Sequence, residues 1–238
     1  MERTLKNENI LVAGCSNTFG LGIPNEYTWG EVLKNKIVSN KEKHLYNLGI
    51  CGNNIKIIIR NIITFINTQG KPDYIFAMLP NVSRFMYFEK DNLEYQNSSW
   101  NHDSQSIHLK RSELQYNHAD QLFDVIMQIH LLEMLCNLSQ IKFLWSTWAG
   151  QDHIVYRNIN FKNYVHFKEP DDYMMNLEFF YTKDPVYKLA IQNLKRELEK
   201  KNINNKPYWT VALDLCHPGT YWHEQAANMF FENIKGLE

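Results

Sequence analysis

Five short apolar runs, Ile10–Gly14, Leu45–Leu48, Tyr74–Leu79, Ile141–Thr147 and Trp209–Leu213, alternate along the chain with longer segments of helical periodicity. Apolar runs of this length that lack polar alternation read as strands buried on both faces. Such strands must be covered above and below. Their regular alternation with helices therefore implies one parallel sheet between two helical layers. The helical segments are 27–38, the stretch from Ile55 to Ile66, Asp120–Leu138, Asp184–Lys201 and Gly219–Leu237. In the second of these, Ile55, Ile58, Ile59, Ile62, Ile63 and Ile66 fall on one face behind a cap at Asn53 or Asn54. Gly70-Lys71-Pro72-Asp73 stops it. Asp184-Pro185 opens the fourth as an N-cap followed by proline. The expected architecture is thus α/β: a three-layer α/β/α sandwich around a five-stranded parallel sheet, forming a single domain over residues 1–238. A chain of this size hides roughly 70% of its unfolded surface, enough for a substantial core.

Two segments interrupt the alternation and are expected to be irregular inserts. Residues 83–117 are rich in Ser, Asn, Gln and His. Loops this long are usually functional flaps or poorly ordered. Residues 148–183 are unusually aromatic, from Tyr156 to Tyr181. They read either as a lid that packs against sugar or acyl faces, or as an insert with its own small core.

Charge and cysteine usage remove several function classes. With 25 Lys and Arg against 26 Asp and Glu, the net charge is -1. That leaves no basic footprint for nucleic acid and no polybasic patch for a membrane surface. The longest apolar runs are too short to span a bilayer. The N-terminal MERTLKNENILVAG lacks an apolar region of signal-peptide length, so a soluble, cytoplasmic protein is expected. Cys15, Cys51, Cys136 and Cys216 lie far apart with no C-x-x-C pair, which argues against a zinc ribbon, a redox dithiol or a disulfide framework. No metal or other cofactor is expected.

In an open parallel sheet, ligands bind outside the carboxyl ends of the strands. The residues there are chemically suggestive. After the first strand comes Gly14-Cys15-Ser16-Asn17-Thr18-Phe19-Gly20, after the second Asn47-Leu48-Gly49-Ile50-Cys51-Gly52, after the third Leu79-Pro80-Asn81-Val82-Ser83-Arg84, and after the fifth Asp214-Leu215-Cys216-His217-Pro218. A serine nucleophile needs a base within hydrogen-bond reach and a partner to orient that base. Ser16 lies on a Gly-flanked turn. Asp214 and His217 are three apart, so the carboxylate can reach the imidazole Nδ1–H and fix its tautomer. Gly52 lets a backbone N–H approach a ligand and Asn81 offers an amide, the parts of an oxyanion hole. Taken singly, each has a plainer reading: Ser16 or Asn81 as a cap, Gly52 as a turn residue, Asp214 and His217 as a surface pair. Their recurrence at successive strand ends favours a common site.

These blocks resemble those of the SGNH hydrolase superfamily, the GDSL esterases and lipases. The first resembles G-D-S-x-(T/S)-x-G, with the family's nucleophile falling on Ser16. The second is similar to the family's N-x-G/S-x-x-G stretch, with the oxyanion glycine on Gly52. The third, G-x-N-D, is kept only at Asn81. The last, D-x-x-H-P, matches Asp214 through Pro218, and the extension H-P-G-x-x-x-H-x-x-x-A runs from His217 to Ala227. The resemblance implies the flavodoxin-like SGNH fold, a catalytic triad of Ser16, His217 and Asp214, and an oxyanion hole formed by the Ser16 and Gly52 backbone N–H groups with the Asn81 side chain. It also implies that His223 anchors the last helix. Cys15 and Val82 stand where the family has Asp, and Leu79-Pro80 replaces Gly-x.

The expected function is therefore a serine esterase or deacylase working through an acyl-enzyme. Its expected substrates are small-molecule or carbohydrate esters with short acyl groups, O-acetylated sugar among them. A non-catalytic module that kept the fold, and an acyltransferase with the same triad, are the alternatives. A Cys15 nucleophile or a zinc site is disfavoured because neighbours of strand-end residues point the other way, into core-like surroundings. Arg84, just past the third strand, suits either an anionic substrate group or a surface salt bridge.

Overall fold

The computed structural model describes residues 8–37, 42–82, 84, 86–89, 92–97, 118–148, 155–159, 161–168 and 217–234. Strand β1 (Glu8–Gly14) is followed by a short helix α1 (Ser16–Phe19), a 3-10 turn at Asn25–Tyr27 and helix α2 (Trp29–Lys36). Then come β2 (Lys43–Gly49), α3 (Ile55–Gln69) and β3 (Tyr74–Leu79). The hairpin strands β4 (Met86–Glu89) and β5 (Asn92–Asn97) precede α4 (His118–Leu138), β6 (Lys142–Thr147) and α5 (Thr220–Ile234).

The main sheet has the order β2-β1-β3-β6, all parallel. Four of its expected strands are therefore found. The fifth, at Trp209–Leu213, lies outside the described residues, as does the helix expected at Asp184–Lys201. Alternating residues divide the core as period-two side chains must. Leu11, Ala13, Ile75, Ala77, Phe143 and Trp145 face α3 and α4, while Ile10, Val12, Phe76, Met78 and Leu144 face α2 and α5. The second layer closes on Trp29, Trp222 and Phe230, with the Trp29 and Phe230 rings 5.2 Å apart. Both faces of the sheet are covered, which is why its strands carry no polar alternation.

Local capping agrees with the residue chemistry. Asn54, not Asn53, caps α3: its side-chain oxygen accepts from the Ile57 N–H at 3.0 Å. Helix α2 begins two residues later than its apolar pattern suggests, because Thr28 is its cap and accepts from the Glu31 N–H.

The two inserts depart from their expectation of irregularity in different ways. In the first, β4 and β5 pair antiparallel with a register shift between Phe88 and Glu89. Runs of four and six residues, such as β4 and β5, are too short for periodicity to separate strand from loop. In the second insert, the described aromatic residues serve as core. Tyr156, Phe161 and Phe167 are buried, and Trp145 meets Tyr156 and Phe161 edge-on at 5.0 Å. Residues 163–165 lie along the edge of β6, with the Trp145 N–H donating to the Asn163 carbonyl and the Val165 N–H to the Trp145 carbonyl. Beneath them the buried Glu133 carboxylate accepts from the Trp145 indole at 2.8 Å and the Asn163 N–H at 3.1 Å. The described part of this insert thus joins the main core on the two faces of the sheet and does not form a small core of its own. No helix among the described residues is long and apolar enough to cross a membrane.

Candidate active site

The carboxyl ends of β2, β1 and β3 lie side by side, with Gly14 opposite Gly49 on one side and Met78 on the other.

Ser16 is the first residue of α1 and is buried. Its helix is one turn long, so it cannot hold itself in place. The neighbouring strand does this. The Asn47 side chain donates to the Thr18 carbonyl at 2.9 Å and accepts from the Gly49 N–H at 2.8 Å, linking the end of β2 to the middle of α1. The Ile50 N–H donates to the Gly14 carbonyl at 3.3 Å. Gly49 is obligatory here: a Cβ at that position would stand 2.2 Å from the Phe19 nitrogen. Gly14 is equally constrained, since a Cβ there would lie 2.6 Å from the Met78 carbonyl oxygen. The glycines flanking these blocks thus permit close backbone approach and set the height of Ser16 above the sheet.

Gly52 lies in the turn that follows β2. The Asn53 N–H closes it onto the Ile50 carbonyl at 3.2 Å, and Gly52 has φ +77°, a conformation L side chains rarely adopt. Asn81 is half-buried in the turn after β3, which the Arg84 N–H closes onto the Asn81 carbonyl at 3.2 Å. His217 lies three residues before α5 and is partly exposed. Asp214 lies outside the described residues, as does Cys216. Of the residues expected at the site, the sheet therefore brings Ser16, Gly52 and Asn81 to three adjoining strand ends, while His217 stands just before the last helix.

His223 lies one turn into α5 and is fully enclosed. Its Nδ1 accepts from the Trp29 N–H at 3.1 Å, so the ring tethers α5 to the first turn of α2. The imidazole is neutral. Burial, and then the charge of nearby His217, push its pKa down from 6.5 to about 3. The anchoring role expected of His223 follows directly from this bond. It also sets a pH dependence. Below about 6.5 the unfolded chain takes up a proton at this residue and the folded chain does not, so stability falls as pH drops from about 6.5 towards about 3. Asn in its place retains an acceptor for the Trp29 N–H but cannot titrate. His223→Asn should therefore flatten that part of the stability profile in urea titrations, whatever stability it loses at neutral pH. An unchanged slope would assign the acid sensitivity to other groups.

The cysteines behave differently from one another. Cys15 is fully buried, as expected, with its Sγ 4.0 Å from the Ser16 hydroxyl and 3.3 Å from the Trp148 indole nitrogen, which donates to it. Cys51 is exposed, contrary to the expected inward orientation. Strand alternation stops at Ile50, and the left-handed Gly52 turns residue 51 outward. No cluster of three or more His, Cys, Asp or Glu able to hold a metal occurs among the described residues.

Trp148 is the site residue that sequence reasoning passed over. It follows β6 directly, so the same strand-end rule that selected Ser16 and Asn81 could have found it. Its backbone N–H donates to the Leu79 carbonyl at 3.3 Å, and the Arg84 guanidinium lies 5.4 Å from its ring centroid. The Arg84 guanidinium thus lies over an indole face.

No family model matches the chain, and no curated protein matches it. Solved structures do. A protein assigned to the G-D-S-L lipolytic family, from Desulfitobacterium hafniense DCB-2, superposes with a TM-score of 0.50 at 11% identity, covering 95% of this chain and 99% of its own. The lipase Lip_vut3 from a goat rumen metagenome gives 0.51 at 12% identity, covering 94% of this chain and 95% of its own. The chain shares its fold with these two proteins.

Proposed function

We propose that this chain is a serine ester hydrolase of the SGNH type, with Ser16 as nucleophile, His217 as general base and Asp214 as the residue that orients His217. The observation that carries the reading is the rigid mounting of Ser16. It is a buried hydroxyl on a single helical turn, fixed by Asn47 and by two glycines that admit no Cβ, at the carboxyl edge of the sheet. The fold shared with G-D-S-L lipolytic proteins supports it.

In this reading Ser16 Oγ attacks the ester carbonyl as His217 takes its proton. The tetrahedral oxyanion is met by the backbone N–H groups of Ser16 and Gly52 and by the Asn81 amide. His217 then gives the proton to the leaving alcohol oxygen, and the C–O bond breaks to leave an acyl-enzyme. Water, deprotonated by His217, attacks the acyl carbon; the bond to Ser16 Oγ then breaks, His217 returns the proton to Oγ, and the acid leaves. Phe19, at the end of the helical turn that Ser16 opens, and Ile50, whose N–H donates to the Gly14 carbonyl, are exposed apolar residues suited to a short acyl chain. Short-chain esters, including O-acetyl groups on carbohydrate, are the proposed substrates.

The test is a chain-length series of acyl esters together with acetylated sugars, assayed for released acid with and without added alcohol or sugar acceptors. Preferential hydrolysis of the short esters is expected. Acyl transfer to the added acceptor in place of hydrolysis would make the chain a transferase, and no turnover of any ester would leave a non-catalytic module. The Asn81 assignment has its own measurement. Asn81→Ala should lower kcat by about 10²–10³-fold with little change in KM, because the oxyanion exists mainly in the transition state. Loss of about 1 kcal/mol of stability with normal kcat would make Asn81 a cap alone.

A further inference from the structure

We infer that Arg84, braced on Trp148, is a positioning residue that locks the two donor loops of the oxyanion hole to each other and to the nucleophile turn. This rests on the serine-hydrolase reading above. The loop carrying Gly52 follows β2 and the loop carrying Asn81 follows β3, two strands that flank β1 and do not pair with each other. Arg84 joins them. Its backbone N–H closes the Asn81 turn at 3.2 Å, and its Nη1 donates to the carbonyl of Asn53, the residue after Gly52, at 3.2 Å. Arg84 thus ties the loops of the two proposed donors to each other.

The same guanidinium lies over the Trp148 ring, 5.4 Å from its centroid. A planar, permanently charged group can stack on an indole and donate in its own plane at the same time, which an ammonium cannot do. Trp148 is itself held at two points. Its N–H donates to the Leu79 carbonyl at 3.3 Å, at the root of the Asn81 loop, and its indole N–H donates to Cys15 Sγ at 3.3 Å, next to Ser16. The connection therefore runs from the Gly52 turn through Arg84 and Trp148 to the residue before the nucleophile. Oxyanion donors act only within a few tenths of an ångström of their working distance, so a brace of this kind acts on kcat.

The experiment compares Arg84→Met, Arg84→Lys and Trp148→Phe in the full chain. Steady-state kinetics on a short-chain ester, thermal unfolding, and amide hydrogen exchange at residues 50–53 are measured for each. Arg84→Met should lower kcat at least about 30-fold with KM within about twofold, and should raise exchange at residues 50–53, a loop remote in sequence. Arg84→Lys should recover part of kcat by restoring the bond to the Asn53 carbonyl. Trp148→Phe keeps a ring under the guanidinium but removes the N–H to Cys15, and should fall between wild type and Arg84→Met. An active wild type whose Arg84→Met variant keeps full kcat, or loses only thermal stability, overturns the positioning role and leaves the hydrolase reading intact. A rise in KM at constant kcat overturns it in favour of substrate contact. A wild type without turnover overturns the hydrolase reading and the catalytic role of the brace with it.

Discussion

Ser16→Ala is expected to lower the rate of ester hydrolysis by about 10⁴–10⁶-fold, the scale on which removal of a triad member acts. The hydroxyl is the only atom removed, and the bonds that hold α1 come from Asn47, Gly49 and the backbone. Folding should therefore be untouched, and substrate should still bind. Cys15→Ser makes the complementary control. It keeps an acceptor for the Trp148 indole and leaves Ser16 in place, so most of the turnover should remain. Abolished turnover in Cys15→Ser with an active Ser16→Ala would transfer the chemistry to the thiol. Kinetics on a short-chain ester, with circular dichroism to verify folding, separates these outcomes.

His217→Gln is expected to cost nearly as much, roughly 10⁴-fold or more, since the nucleophile loses the group that accepts its proton. The loss should not add to that of Ser16→Ala, because the two act as one unit. The double variant should therefore be about as slow as either single one, whereas multiplied losses would mean that His217 works independently of Ser16. His223 is the internal contrast. It too is an imidazole at the start of α5, but it is sealed in the core with Nδ1 committed to the Trp29 N–H. Its replacement should act on stability and its pH dependence, as argued above, far more than on the chemical step.

Much of this arrangement was legible in the residues because the physics that decides it is local. Tyr74–Leu79 is wholly apolar and becomes a strand buried on both faces, with boundaries identical to the apolar run. Ile55 to Ile66 repeats at helical spacing behind an Asn cap and becomes α3. The glycines at 14, 49 and 52 stand where backbone must approach backbone or adopt positive φ. What was not legible depends on contacts distant in sequence. Nothing near Trp148 says that its indole will reach Cys15, 133 residues away, or that Arg84 will stack on it. The aromatic insert could not be divided between lid and core from composition alone, because buried Tyr156 and Phe161 look no different in sequence from residues that cover a substrate. Cys51 was misjudged because the period-two rule was carried two residues past the end of its strand.

The most direct measurement of the central claim is labelling of the intact chain with a fluorophosphonate, followed by mass spectrometry of the adduct. A fluorophosphonate is attacked at phosphorus by an activated serine, fluoride leaves, and a stable phosphonyl-serine remains. The account predicts one phosphonyl group per chain, on Ser16, formed also by Cys15→Ser, slowed strongly in His217→Gln and absent from Ser16→Ala. A chain that takes up no label, or carries it on a residue other than Ser16, would contradict it.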